Sequence, residues 1–389
     1  MRRIVEVAWE GLSKAGEELC GDCVEVTTTP TSLVVVLSDG LGSGVKANIL
    51  ATLTSRIAAV MFREGATVDE VLEALAETLP ECRERHLAYA TFAMLKVDRA
   101  REAYLVEYDC PPLILVRAGQ VVDLPLAERT AGGRLIQEAR FRLQKGDYMV
   151  LVSDGYLHAG VGGLYRLGWG WENIATAVRR WAQTGGDAHE LAQALARTCL
   201  KLYGGKPGDD ATAVAMRMRE AVRATIWTGP PADPARDAEV VGRLMSMEGL
   251  KVICGGTTAQ IAARVLGRRL EVEWLPPSKR QNRSKRRTPP PARLEGVDLV
   301  TEGIITLGMA AQLLEHARTV RDLPREDEAA TCLAHILLTA DEIHFLVGMA
   351  LNPNQVADLI RGEPMRMVYV KELARLLQER NKQVTVERV

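Results

Sequence analysis

Two places in this chain end an apolar run in the same way. "VVVLSDG" arrives at Asp39 and Gly40, and "MVLVSDG" arrives at Asp154 and Gly155. Short runs of β-branched and aliphatic residues like these read as buried strands. A carboxylate at the end of a buried strand is costly unless something compensates its charge. The glycine after each acid lets the backbone turn tightly. Two further strand entries carry acids: Asp22 in "CGDCVEV", and Asp209 with Asp210 in "GGKPGDDATAVAM". A single Asp-Gly after a strand is an ordinary turn. A set of such acidic strand ends in one region points instead to hard divalent cations, which take carboxylate oxygens as ligands.

The rest of residues 1–218 supports one α+β unit. "GVKANILATLTSRIAAVMFREG" (44–65) has apolar residues at helical spacing and a glycine stop. "TVDEVLEALAETLPECR" (67–83) opens with a threonine cap and an acidic first turn, predicting a second helix. "LAYATFAMLKVD", "AYLVEYD", "LILVRAGQVVDL" and "RFRLQKGDYMVLVSDG" predict strands, with "RAGQ" and "QKGD" as turns. Helices are expected near 171–183 and 188–203, and a closing strand at "ATAVAMRMR". Residues 219–231, which run into "TGPPADPA" (228–235), read as a linker. Residues 232–389 alternate strands ("LKVICGG", "GVDLVTEG", "ADEIHFLVG", "KQVTVERV") with helices ("TTAQIAARVLG", "GMAAQLLEHAR", "VKELARLLQERN"). That alternation predicts a parallel, Rossmann-like α/β domain. It is interrupted by a basic, proline-rich loop at 278–293.

"VVLSDGLGSGVKA", "MVLVSDGYLHAG" and "GDDATAVAM" resemble the PPM superfamily of metal-dependent serine/threonine protein phosphatases. The branch is that of the bacterial sporulation protein SpoIIE, whose first Gly-Asp motif "CGDC" resembles. The resemblance covers residues 1–218 and implies a four-layer αββα sandwich, with two Mn²⁺ or Mg²⁺ ions in a cleft at one end. It implies that Asp39 bridges both ions, with the Gly40 carbonyl on one of them. Asp154 and Asp209 then hold the first ion and Asp22 serves the second. Asp210 supports Asp209 or replaces it as ligand. Asp39, Asp154 and Asp209 would act through a metal-bound water that attacks phosphorus. Gly42 and Gly44 leave room for a phosphate. Ser43, Lys46 and the following helix N-terminus add donors, although an exposed helix lysine accounts for Lys46 equally well. Asp109 and Cys110, in "YDCPPLIL", depart from the Gly-His common in relatives, and no counterpart stands out for the phosphate-binding arginine of the eukaryotic branch.

The function so implied is hydrolysis of phosphoserine or phosphothreonine in a bacterial signalling pathway. The expected partner is a phosphorylated protein such as an anti-sigma-factor antagonist, and a homodimer is compatible with this reading. Two alternatives stay open. One is a non-catalytic regulatory scaffold. The other is a second domain that carries the main activity through an anion site at Gly255, Gly256, Thr257 and Thr258, where a capped helix is the plainer reading.

A net charge of −1 gives no global attraction to nucleic acid or anionic membrane. The basic loop (Lys279, Arg280, Arg283, Lys285, Arg286, Arg287) lacks the interleaved aromatics that stack on bases, so it reads as a solvated loop. The sequence shows no apolar run of spanning length and no signal-peptide pattern, and its seven cysteines are scattered, which predicts a cytoplasmic protein. "CGDC" lacks the second pair of a zinc site and precedes a strand, unlike a thioredoxin motif. Between the two histidines weighed as proton donors, His158 is a better candidate than His86.

Overall fold

The computed structural model describes residues 2–29, 31–78, 90–131, 133–163, 165–272, 290–325, 328–350, 359–360 and 363–389. The chain divides into two compact units, Met1–Glu220 and Ala221–Val389.

In the first unit the strands are β1 (Arg3–Leu12), β2 (Asp22–Thr28), β3 (Ser32–Gly40), β4 (Ala90–Asp98), β5 (Glu102–Tyr108), β6 (Ile114–Arg117), β7 (Gln120–Val122), β8 (Ala127–Ala131), β9 (Arg134–Arg142), β10 (Tyr148–Val152) and β11 (Ala211–Glu220). The helices are α1 (Gly44–Glu64), α2 (Val68–Thr78), α3 (Asp154–His158), α4 (Trp171–Ala182) and α5 (Ala188–Leu202). The strands form two sheets, ordered β1-β11-β10-β6-β7 and β2-β3-β4-β5-β9-β8. Every pairing inside them is antiparallel.

The two-residue period of a strand makes the layers. On β3, Val35 and Leu37 face Met149, Leu151, Val214 and Met216 of the other sheet. Val34 and Val36 point the opposite way, onto Ala58, Ala59 and Phe62 of α1 and Leu72 of α2. The outer face of the β10–β11 sheet, with Val150, Val152 and Ala213, is covered by Ile174 and Val178 of α4 and Leu191 and Leu195 of α5. The unit is therefore an α+β sandwich of two sheets between two helical layers.

Helix α1 is long and apolar enough to cross a membrane by length and composition, contrary to the sequence reading. Its small residues Ala47, Ala51, Ala58 and Ala59 are wholly buried, as in a helix packed on a sheet, while Val45, Ile49, Leu53 and Val60 face outward. Strand β1 was not foreseen. It is an edge strand paired along its whole length with β11.

In the second unit the strands are β12 (Arg223–Thr228), β13 (Leu250–Cys254), β14 (Glu271–Val272), β15 (Ala292–Leu294), β16 (Val297–Thr301), β17 (Glu342–Val347), β18 (Leu359–Ile360), β19 (Glu363–Pro364) and β20 (Gln383–Arg388). The helices are α6 (Asp237–Ser246), α7 (Gly256–Leu266), α8 (Ile304–His316), α9 (Ala329–Thr339) and α10 (Met365–Gln378). Seven strands make one sheet in the order β14-β15-β16-β13-β12-β17-β20. Its β16-β13-β12-β17-β20 core is parallel. Residues of α6 and α7 pack on one face and those of α8, α9 and α10 on the other.

The expected linker at 219–231 is not one. β11 runs to Glu220 and β12 begins at Arg223, so only two residues intervene, and the proline-rich stretch follows a central strand. Of the basic loop, 278–289 lie outside the described residues, while Ala292 and Arg293 belong to β15.

Candidate active site

The four acidic motifs reach one end of the first unit's sandwich. Asp22 opens β2 and stands opposite Asp39 in the antiparallel register of β2 and β3. Asp154 opens α3 directly after β10. Asp209 and Asp210 immediately precede β11. Asp39, Gly40, Gly42, Ser43, Asp154 and Asp209 line a single cleft of about 1170 Å³, together with Lys14, Glu107, Tyr108 and Arg134.

Asp22 and Asp210 do not line the cleft. They are 6% and 4% exposed, so they sit behind the others. Asp22 Oδ2 accepts from Ser153 Oγ at 2.7 Å, and Ser153 Oγ in turn accepts from Thr212 N at 2.9 Å. Asp210 Oδ1 accepts from Lys14 N at 3.0 Å, and Asp209 Oδ1 accepts from Asp210 N at 3.0 Å. Asp22 Oδ1 and Asp210 Oδ2 are buried with no hydrogen-bond partner.

Negative charge gathers here, offset in part by Lys14 beside Asp209. Burial, then the neighbouring Asp22 and Asp154, then a hydrogen bond with Asp154, push the Asp39 carboxyl far above the usual carboxylate range. Burial also raises Asp22, opposed by its bonds to Ser153 and Thr212 and assisted by Asp210 and Asp154. Asp209 is raised by burial and by Asp154. Such a cluster must hold either protons or cations. The donor set, all carboxylate with two orphaned oxygens, fits a hard divalent ion. Among the described residues, however, no three His, Cys, Asp or Glu side chains are gathered as a finished ligand set.

Several expectations need correction. Lys46 and Gly44 do not line the cleft. Lys46 is an exposed residue of α1, and Gly44 is buried at its start, where an added Cβ would strike the Glu17 carboxylate. Ser43 Oγ is already engaged, donating to Glu17 Oε1 at 3.0 Å. Gly42 has open space around it but needs its glycine for a φ of +104°. His158 is exposed and does not line the cleft, and His86 lies outside the described residues. Asp109 and Cys110 do line it. Cys110 Sγ donates to the Phe92 carbonyl at 3.2 Å, and burial pushes its thiol up, so it braces the loop rather than reacting.

Sequence reasoning missed Lys14, Ser153, Glu107 and Arg134. Ser153 lay in plain view inside the second "SDG". The other three carry no local signal, because register and loop course bring them to the cleft.

In the second unit, Gly255 stands at φ +130° before α7, whose first turn has no side-chain cap. Gly256 and Thr257 are exposed there and Thr258 is buried.

Residues 29–219 match the family described as Stage II sporulation protein E (SpoIIE). No curated protein matches the chain. Among solved structures, the phosphatase domain of SpoIIE from Bacillus subtilis is 18% identical with a TM-score of 0.42, covering 56% of this chain and 94% of that one. The RsbU and RsbW domains of a Mycobacterium tuberculosis protein are 21% identical with a TM-score of 0.46, covering 62% and 68%. The SiaA-PP2C domain of Pseudomonas aeruginosa is 22% identical with a TM-score of 0.45, covering 55% and 85%. Within the first unit, residues 29–219 are thus similar to SpoIIE, the family whose model they match.

Proposed function

We propose that the first unit is a Mn²⁺- or Mg²⁺-dependent phosphatase acting on phosphoserine or phosphothreonine in a protein. One observation carries this reading. Asp22, Asp39, Asp154, Asp209 and Asp210 converge from four segments, and none forms an ion pair among the described residues. Asp39, Asp154 and Asp209 would hold the ions on the cleft side, with the Gly40 carbonyl beside them. Asp22 and Asp210 would hold or orient from behind. Bound there, divalent ions supply a hydroxide near neutral pH and neutralise phosphoryl oxygens. The chain's own residues keep the carboxylates aimed. Ser153 fixes one oxygen of Asp22, and the Lys14 amide fixes one oxygen of Asp210. No side chain is needed as nucleophile.

The test is turnover of an aryl phosphate and a phosphopeptide by purified protein with Mn²⁺. Asp39→Asn is expected to lower kcat/KM by about 10³-fold or more, equivalent to roughly 4 kcal/mol of transition-state stabilisation. Activity that survives this change rejects the site.

A second reading, a scaffold that binds a partner without catalysis, is favoured by the lack of a finished ligand set. It expects no turnover with either metal and no Mn²⁺-dependent rise in melting temperature. For the second unit, the parallel order with its reversal between β12 and β17 supports a Rossmann-like domain. A cytoplasmic setting and an anti-sigma-factor antagonist as substrate belong to the same proposal.

A further inference from the structure

The cleft is roomier than a phosphate needs, and part of its lining comes from the β8–β9 hairpin. Gly133, Arg134 and Leu135, at the start of β9, line it along with Asp39. Two arginines of this hairpin behave differently. Arg129 is held by two carboxylates, Asp69 at 3.0 Å and Glu138 at 3.1 Å, and serves the fold. Arg134 has no carboxylate partner among the described residues. Its guanidinium lies 5.4 Å from the centre of the Tyr108 ring, which fixes it at the cleft wall without neutralising it. Leu135 beside it is 61% exposed, a large apolar side chain left open in a cleft wall.

The sheet supplies a ruler. Asp39 stands opposite Thr91 on β4. Strands β3, β4, β5 and β9 are successive neighbours in the sheet, so Leu135 stands on the third strand from that of Asp39. Three strand spacings separate Asp39 from Leu135, about 14 Å. An extended peptide advances about 3.3 Å per residue, so that span is about four residues.

We propose that Arg134, held on Tyr108 and flanked by Leu135, reads an acidic side chain of an extended phosphopeptide about four residues from the phosphoresidue bound at the acidic cluster. The occupant is a phosphorylated protein segment with a second acid, chosen by charge complementarity with an unneutralised arginine. This rests on the phosphatase reading and adds the substrate's local sequence to it.

Phosphoserine peptides carrying Glu or Lys four residues to either side of the phosphoresidue test it, by kcat/KM with Mn²⁺ and by fluorescence anisotropy of labelled peptides. The wild-type protein is expected to favour Glu over Lys by about tenfold on one side, and Arg134→Glu to reverse that order. Equal ranking by the wild type, or an equal fall on all peptides in Arg134→Glu, overturns the subsite. Anisotropy reads the preference whether or not turnover occurs. A charge-reversed preference without turnover upholds the subsite and sinks catalysis, whereas turnover without any preference does the opposite.

Discussion

Ser38-Asp39-Gly40 and Ser153-Asp154-Gly155 carry the same three residues after an apolar strand, yet they are held differently. The first stays in the sheet. Asp39 and Gly40 are the last residues of β3, paired with Thr91 and Ala90, and Ser38 Oγ makes one bond, to the Thr91 carbonyl at 3.0 Å. The second leaves the sheet. β10 stops at Val152, Ser153 takes extended angles as an N-cap, and Asp154 begins a short helix. Ser153 then bonds outward to Asp22 and to the Thr212 amide, tying three motifs together. A strand end places its acid by pairing, whereas a strand-to-helix turn must place it by side-chain bonds. Both need the glycine for the same reason, which is closeness. A Cβ on Gly40 would run into the Ala47 carbonyl of α1, and one on Gly155 into the Asp210 carbonyl.

The largest effect should therefore be shared. Gly40→Ala and Gly155→Ala each force a methyl against backbone that cannot rotate away, and each is expected to cost about 3 kcal/mol or more, measured by urea unfolding. A mild effect at only one of them would break the symmetry. The serines should split the two ends. Ser153→Ala removes one donor from an Asp22 oxygen and the acceptor of the Thr212 amide, and should cost about 2 kcal/mol. Ser38→Ala frees only a carbonyl already paired in the sheet and should cost about 1 kcal/mol or less. Equal losses would mean that the Ser153 bridge adds nothing beyond a single bond.

The same contrast explains what was legible in the chain. Alternation and β-branching disclosed β3, β10 and β11, and the acids at their ends disclosed the candidate site. The turn "RAGQ" was readable because Ala118 and Gly119 both take positive φ between β6 and β7. Helix α9 was not foreseen. "AATCLAHILLT" is apolar on nearly every side, so it lacks the stripe that marks a surface helix. β12 was hidden by the prolines after it, which drew the boundary too late. Lys14, Glu107 and Arg134 were illegible for another reason. Their neighbours come from other strands, and no local spacing encodes a register three strands away.

Glu107 offers the finest contrast, since it lies in the same sheet as the first strand end and nothing offsets its charge. It is 2% exposed. Its Oε1 accepts from Leu113 N at 2.6 Å, and its Oε2 has no partner. Burial, opposed by the Leu113 bond, raises its pKa from 4.5 to about 7. An acid raised on folding contributes stability that is full below the unfolded value and is lost as pH climbs through the folded one. The full shift corresponds to roughly 3 kcal/mol, and water reaching the cleft should reduce it to roughly 1–2 kcal/mol. Glu107→Gln keeps an acceptor for Leu113 and carries no charge at any pH. In metal-free protein, wild-type stability should therefore fall by that amount more than the variant's between pH 5 and pH 8. Asp39 and Asp22, also raised, slope the same way in both proteins and cancel in the difference. Parallel curves would mean that the Glu107 carboxylate already meets water at the cleft floor, and that only the aspartate cluster stores charge in this fold.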